Sequence, residues 1–137
     1  AALRDIVFRD AGARSRLEAI VHPEVGRLRD EEEARLEREG ATLVVHDIPL
    51  LFEVGLDDEF DVVVLVDAPE PVRLERLVRD RGLDPEEARR MIAAQMPAAE
   101  KRARADIVIE NAGTLRNLES ESEAVWKELE RRAASSA

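Results

Sequence analysis

The chain has 137 residues, 31 acidic against 21 basic side chains for a net charge of -10, and no cysteine. That length suits one domain burying roughly two-thirds of the surface its unfolded chain exposes, and the missing cysteine excludes disulfides, thiolate metal sites and a cysteine nucleophile. The acidic excess argues against non-specific nucleic-acid or anionic-membrane binding, and no apolar run approaches the roughly 18 to 20 residues of a spanning helix. A soluble protein of the reducing cytoplasm is the expectation.

The stretch up to Val21 reads as helical. A break follows, and His22-Pro23 starts a second helix with Pro at its first position, His22 as a possible cap and Gly40 at its end. Two apolar runs come next, Thr42-Leu43-Val44-Val45-His46-Asp47 and Asp61 to Asp67. They are short, rich in β-branched residues and not alternating, as strands buried on both faces of a parallel sheet are. Between them, Ile48 to Phe60 suits an irregular loop and a short helix. Glu70 to Arg81 reads as a helix closed by Gly82, and Asp84-Pro85-Glu86-Glu87 as the capped start of another reaching about Gln95. A third strand, Asp106 to Glu110, precedes a final helix carrying Leu115, Leu118, Val125, Trp126 and Leu129, with Ala133 to Ala137 as a frayed tail. Strands alternating with helices predict a parallel α/β sheet, with Asp47, Asp67 and Asn111 at one edge.

Ligands of open parallel sheets bind beyond the carboxyl ends of the strands, which here read His46-Asp47-Ile48-Pro49, Asp67-Ala68-Pro69 and Glu110-Asn111-Ala112-Gly113. An aspartate ending such a strand either holds a water on Mg²⁺ or caps a loop; for Asp47 alone both readings stand. From Arg73 to Arg104 there are nine basic and six acidic residues. That island suits a compact polyanion such as a nucleoside triphosphate, or a pair of solvated helices with ordinary salt bridges.

Four strings in order carry a resemblance: Glu18-Ala19-Ile20-Val21-His22-Pro23; Asp47-Ile48-Pro49-Leu50-Leu51-Phe52-Glu53; Asp67 to Gln95, continuing Met96-Pro97; and Lys101-Arg102-Ala103-Arg104-Ala105-Asp106-Ile107-Val108-Ile109-Glu110-Asn111-Ala112-Gly113. Together they resemble dephospho-coenzyme A kinase over nearly the whole chain. The resemblance implies a three-layer α/β parallel sheet of the P-loop kinase type, incomplete at the N-terminus. One domain over 1–137 would divide into a helical substrate-side portion, 1–41, and a nucleotide core, 42–132, with a lid at roughly 79–104.

The implied reaction is ATP-dependent phosphorylation of the ribose 3′-hydroxyl of dephospho-coenzyme A, the last step of coenzyme A synthesis, with Mg²⁺. By position, Asp47 resembles the residue supporting Mg²⁺ through water, and Pro49, Leu50, Leu51 and Phe52 resemble part of the acceptor pocket. His22 falls in the substrate-binding helical portion, where a contact and a helix cap are equal alternatives. Arg76 matches the position leading into the lid, Arg79, Arg81 and Lys101 are candidates for phosphate contact, and Asn111 sits beside the adenine. Two departures stand out. An Arg-Asp pair lies one place early at Arg79-Asp80, which leaves Arg79 and Arg81 interchangeable as phosphate ligand. The glycine-rich loop ending in Lys-Ser or Lys-Thr is absent, as is the aspartate after it that resembles a general base. The expectation is therefore an N-terminally truncated kinase, inactive alone; the alternative is a non-catalytic binding or assembly module derived from a small-metabolite kinase.

Overall fold

A computed structural model describes residues 10–136. They fall into two units, one ending at Val45 and the other beginning at His46.

The first unit holds helix α1, Ala11–Arg38. Asp10 caps it, its Oδ1 accepting from the amides of Gly12 (2.8 Å) and Ala13 (3.0 Å), which satisfies two of the donors every helix start leaves unpaired. The helix runs unbroken through Pro23. The predicted break is therefore absent, and His22 is an exposed residue inside the helix, not a cap. Pro23 forfeits one backbone hydrogen bond, but ion pairs brace the turns after it. Arg27 lies between Glu24 and Glu31, and Arg35 between Glu32 and Glu39, all at spacings that place side chains on one helical face. Gly40 follows the helix end at φ 86°, a conformation that glycine adopts without strain.

In the second unit, β1 is Val64–Asp67 and β2 is Ile107–Glu110. They pair in parallel, Val64 against Ile107 through Asp67 against Glu110, as predicted. The amides of Asp106 (2.9 Å) and Ile107 (3.2 Å) donate to the Val63 carbonyl, and the Val63 amide donates to Asp106 Oδ2 at 2.7 Å. At the other end the Asn111 amide donates to the Asp67 carbonyl at 2.6 Å, so Asp67 and Asn111 do share an edge. The first predicted strand, Thr42 to Asp47, is not formed: residues 43–48 have no strand conformation. A strand exists through its ladder, and among the described residues no backbone bond joins Leu43 to Asp47 to either strand. Asp47 therefore does not join Asp67 and Asn111 on the sheet.

The helices of this unit are α2 (Glu70–Arg81), α3 (Pro85–Ala93), α4 (Ala98–Arg104) and α5 (Leu115–Ser136). Helix α2 packs on α3, α4 on β1 and α5 on β2. Helix α4 falls where sequence periodicity named no element. Helix α5 extends through 133–136 of the tail expected to fray, Ala137 lying outside the described residues, with Arg131 and Arg132 both holding Glu128 near its end. A single 3-10 turn, Asp57–Glu59, lies in the mixed loop. The buried apolar residues are Phe52, Val63, Ala68, Ala88 and Ile109, so the core lies under the strand pair, the loop before it and the α2–α3 contact.

The α2–α3 turn is written in its two caps. Gly82 takes φ 65°, its amide donating to the Val78 carbonyl at 3.1 Å, and Asp84 Oδ1 accepts from the amides of Glu86 (2.9 Å) and Glu87 (3.2 Å). Gly82→Ala forces a side chain into a left-handed conformation, and Asp84→Ala strips two donors of their acceptor. Each should lower unfolding free energy by about 1 kcal/mol in urea titrations.

Candidate functional site

Helices α2 and α3 enclose an open cleft of about 390 Å³ lined by Arg73, Arg76, Leu77, Asp80, Arg81, Met91, Ile92 and Gln95. Arg73 and Arg76 reach it together because positions three apart share a helical face. Arg81 joins them from the end of α2, where Gly82 stops the helix. Three arginines of α2 therefore line one cleft whose other side is supplied by Met91 and Ile92 of α3. None of the three forms an ion pair among the described residues, and the Nε of Arg73 is buried with no hydrogen-bond partner there.

Arg79, interchangeable with Arg81 in sequence, has a different setting. Its Nη1 donates to Glu75 (2.7 Å), and its Nε and Nη2 grip both oxygens of Asp80 (2.7 and 3.0 Å). This grip holds the Asp80 carboxyl below its ordinary range, and it engages the one acidic residue lining the cleft.

Lys101, the fourth basic candidate, is not in the cleft. Its Nζ lies 2.7 Å from Glu53 Oε1, with only 12% and 20% of the two side chains exposed, and 6.0 Å from the Phe52 ring centroid. Arg104 forks onto both oxygens of buried Asp57, its Nε donating to Oδ2 at 2.8 Å, and lies 5.4 Å from the same ring. Arg102 pairs with Asp67 (2.7 Å) and with Glu110. All three cations of α4 thus meet carboxylates of the fold.

Phe52 is buried beneath two of those cations, whereas Pro49 and Leu50 are exposed and Leu51 is half-buried. Asp47 is exposed, and the half-buried Asn111 follows β2. Neither lines the cleft. Among the described residues no three acidic or histidine side chains converge as a metal cage. A lone carboxylate such as Asp47 would fit Mg²⁺ only as a support through water. Sequence reasoning did not single out Arg73, Arg102, Arg104, Glu53 or Asp57. The spacing of Arg73 and Arg76 was a usable signal; pairs 47 residues apart, such as Asp57 and Arg104, leave none.

The parallel strand pair with its flanking helices defines an α/β protein, and the superpositions below make it one of the P-loop kinase type. The family model described as CoaE, dephospho-CoA kinase, matches residues 1–117, and the chain belongs to that family. It is 46% identical over 132 residues to the dephospho-CoA kinase of Thermobifida fusca, covering 96% of this chain and 65% of that one. With its namesake in Anaeromyxobacter dehalogenans it shares 50% over 123 residues, 90% of this chain and 58% of the other. The crystal structure of TT1252 from Thermus thermophilus superposes with a TM-score of 0.79 at 47% identity, over 93% of this chain and 65% of that chain. Dephospho-CoA kinase from Campylobacter jejuni gives 0.66 at 28%, over 93% and 63%. The chain spans about three-fifths of the length of these curated relatives.

Glu53 carries a pH signature. Burial disfavours its charged form, but hydrogen bonds from Lys101, from the Met96 amide (3.0 Å) and from its own amide outweigh this and hold its pKa below the ordinary 4.5. A depressed carboxyl contributes stability that is present above the unfolded value and lost as pH falls through the folded one. The stability difference between the native chain and Glu53→Gln, followed by urea titration, should be constant above about pH 5 and shrink progressively below about pH 4.5.

Proposed function

We propose that the protein bearing this chain transfers the γ-phosphoryl group of ATP to the ribose 3′-hydroxyl of dephospho-coenzyme A, and that Arg73, Arg76 and Arg81 supply positive charge to the phosphates. The observation that supports this most is that they line one cleft with no ion pair to a carboxylate among the described residues, the Asp80 there being gripped by Arg79, while Arg79, Lys101, Arg102 and Arg104 are all engaged by acids. In such a transfer the acceptor oxygen bonds to phosphorus as the bridging oxygen leaves with ADP, and charge spreads over the three outer oxygens. Guanidinium groups already positioned for that charge stabilise the transition state with little reorganisation. The acceptor would lie against Pro49, Leu50, Leu51 and Phe52, with His22 on the helical substrate side, residues 1–41. Asn111 would face the adenine, and Asp47 would support Mg²⁺ through water, with 42–132 as the nucleotide core and 79–104 as the lid. A cytoplasmic setting belongs to the same proposal, supported by the lack of cysteine.

Arg76→Ala and Arg81→Ala should each lower kcat by on the order of tenfold or more, and raise KM for dephospho-coenzyme A less, while Arg79→Ala should cost at most about threefold. Steady-state assays of 3′-phosphorylated product decide it, and an Arg79 effect equal to that of Arg81 would remove the assignment.

A phosphate loop needs a lysine followed by Ser or Thr after a glycine-rich turn, and neither lysine here, Lys101 or Lys127, has that setting. We infer that the 137 residues alone do not hold a triphosphate for reaction, which also keeps the binding-module reading in play. Purified alone, the chain should form no product from ATP and dephospho-coenzyme A; robust turnover would mean the active site has been misplaced.

A further inference from the structure

Helix α4 grips the loop before β1 at three consecutive structural points. Lys101 holds Glu53, Arg104 holds Asp57, and both cations lie over the ring of Phe52 between them. The loop transmits that grip along its own backbone. The Leu51 amide donates to the Ile48 carbonyl (3.2 Å), Val54 to Leu50 (3.0 Å) and Leu56 to Leu51 (3.1 Å), so residues 48–56 form a chain of interlocked turns. Glu53 Oε1 also accepts from the Met96 amide, just ahead of α4. One carboxylate oxygen thus joins the loop to the helix and to the segment leading into it.

We propose that Glu53 and Lys101 are a positioning pair that fixes the segment Pro49–Phe52 against which the acceptor lies, and that Lys101 does not contact the transferred phosphate. The inference rests on the acceptor-side reading of those residues given above. Turning Lys101 toward a phosphate would strip Glu53 of its cation, although the carboxylate is largely buried and its other oxygen, Oε2, has no hydrogen-bond partner among the described residues. An uncompensated buried charge is among the costliest arrangements a fold can hold. Arg104 cannot stand in, because its guanidinium is forked onto Asp57.

The test compares Glu53→Gln, Lys101→Met and the neutral double variant with the native protein. A displaced acceptor segment should raise KM for dephospho-coenzyme A by about tenfold in either single variant and leave KM for ATP within about twofold, because misplacement by an ångström is costly only for the group misplaced. The double variant should resemble the singles and not their product, since both remove one interaction. A rise in KM for ATP with Lys101→Met, together with a silent Glu53→Gln, would make Lys101 a phosphate ligand and overturn the proposal. Amide hydrogen exchange on the chain reads the same pair without any reaction. The amides of Leu51, Val54 and Leu56 should lose protection in each single variant while those of α5 keep theirs; unchanged or uniformly lost protection would overturn the pair's local role. If exchange behaves as stated but the native protein phosphorylates no dephospho-coenzyme A, it is the functional reading that fails.

Discussion

Arg102 lies across the carboxyl ends of both strands, one guanidinium nitrogen on Asp67 and another on Glu110. Parallel pairing sets those two acids side by side in register, and like charges directly opposite each other on a sheet repel. A cation between the two ends offsets that repulsion. Arg102 supplies it from α4, a helix that leads into β2 through only two residues. The bridge is partly solvent-exposed, so its net stabilisation is modest; its larger consequence is where it fixes α4.

With α4 held there, the positive charge of the segment sorts into two groups. Lys101, Arg102 and Arg104 are spent on Glu53, on Asp67 with Glu110, and on Asp57. A cation in contact with a carboxylate presents little net field beyond it, whereas an unpaired guanidinium keeps most of its attraction for an anion. The arginines of the α2–α3 cleft are of the second kind. The basic island is therefore a frame of neutralised cations supporting a smaller, available set. Arg79, which sequence could not separate from Arg81, falls on the neutralised side because Glu75 lies one helical turn before it and Asp80 is its neighbour.

Sequence reasoning reached the elements whose causes are local. The caps at Asp84 and Gly82 and the β-branched strands at Val64 and Ile107 all arise within a few residues, and the parallel pairing follows from strand–helix alternation. It failed where distant partners decide. The run Thr42 to Asp47 has the composition of a strand, but composition cannot supply a ladder, and Asp47 consequently does not join the sheet edge. Pro23 carries the signal of a helix start, yet the ion pairs after it and the Asp10 cap before it support one continuous helix. Helix α4 was missed because Ala98–Arg104 has almost no apolar periodicity; most of its contacts are made by charged ends reaching distant partners, Glu53, Asp57 and Asp67.

The same frame limits how the cleft can change shape. Helix α2 starts three residues after β1, and Ala68 between them is buried, while α4 is fastened by Glu53, Asp57, Asp67 and Glu110. Both ends of the α2–α3 pair are therefore tied to the strand pair or to the loop packed on α4. Helix α3 is joined to the rest of the unit by the Gly82–Asp84 turn on one side and by the segment from Ala94 to Pro97 on the other. Gly82 can absorb a backbone change at low cost because it has no Cβ. The second segment is less free, since the Met96 amide is bound to Glu53. The carboxylate that fastens the loop before β1 to Lys101 therefore also restrains one of the two connections of α3, which lines the arginine cleft.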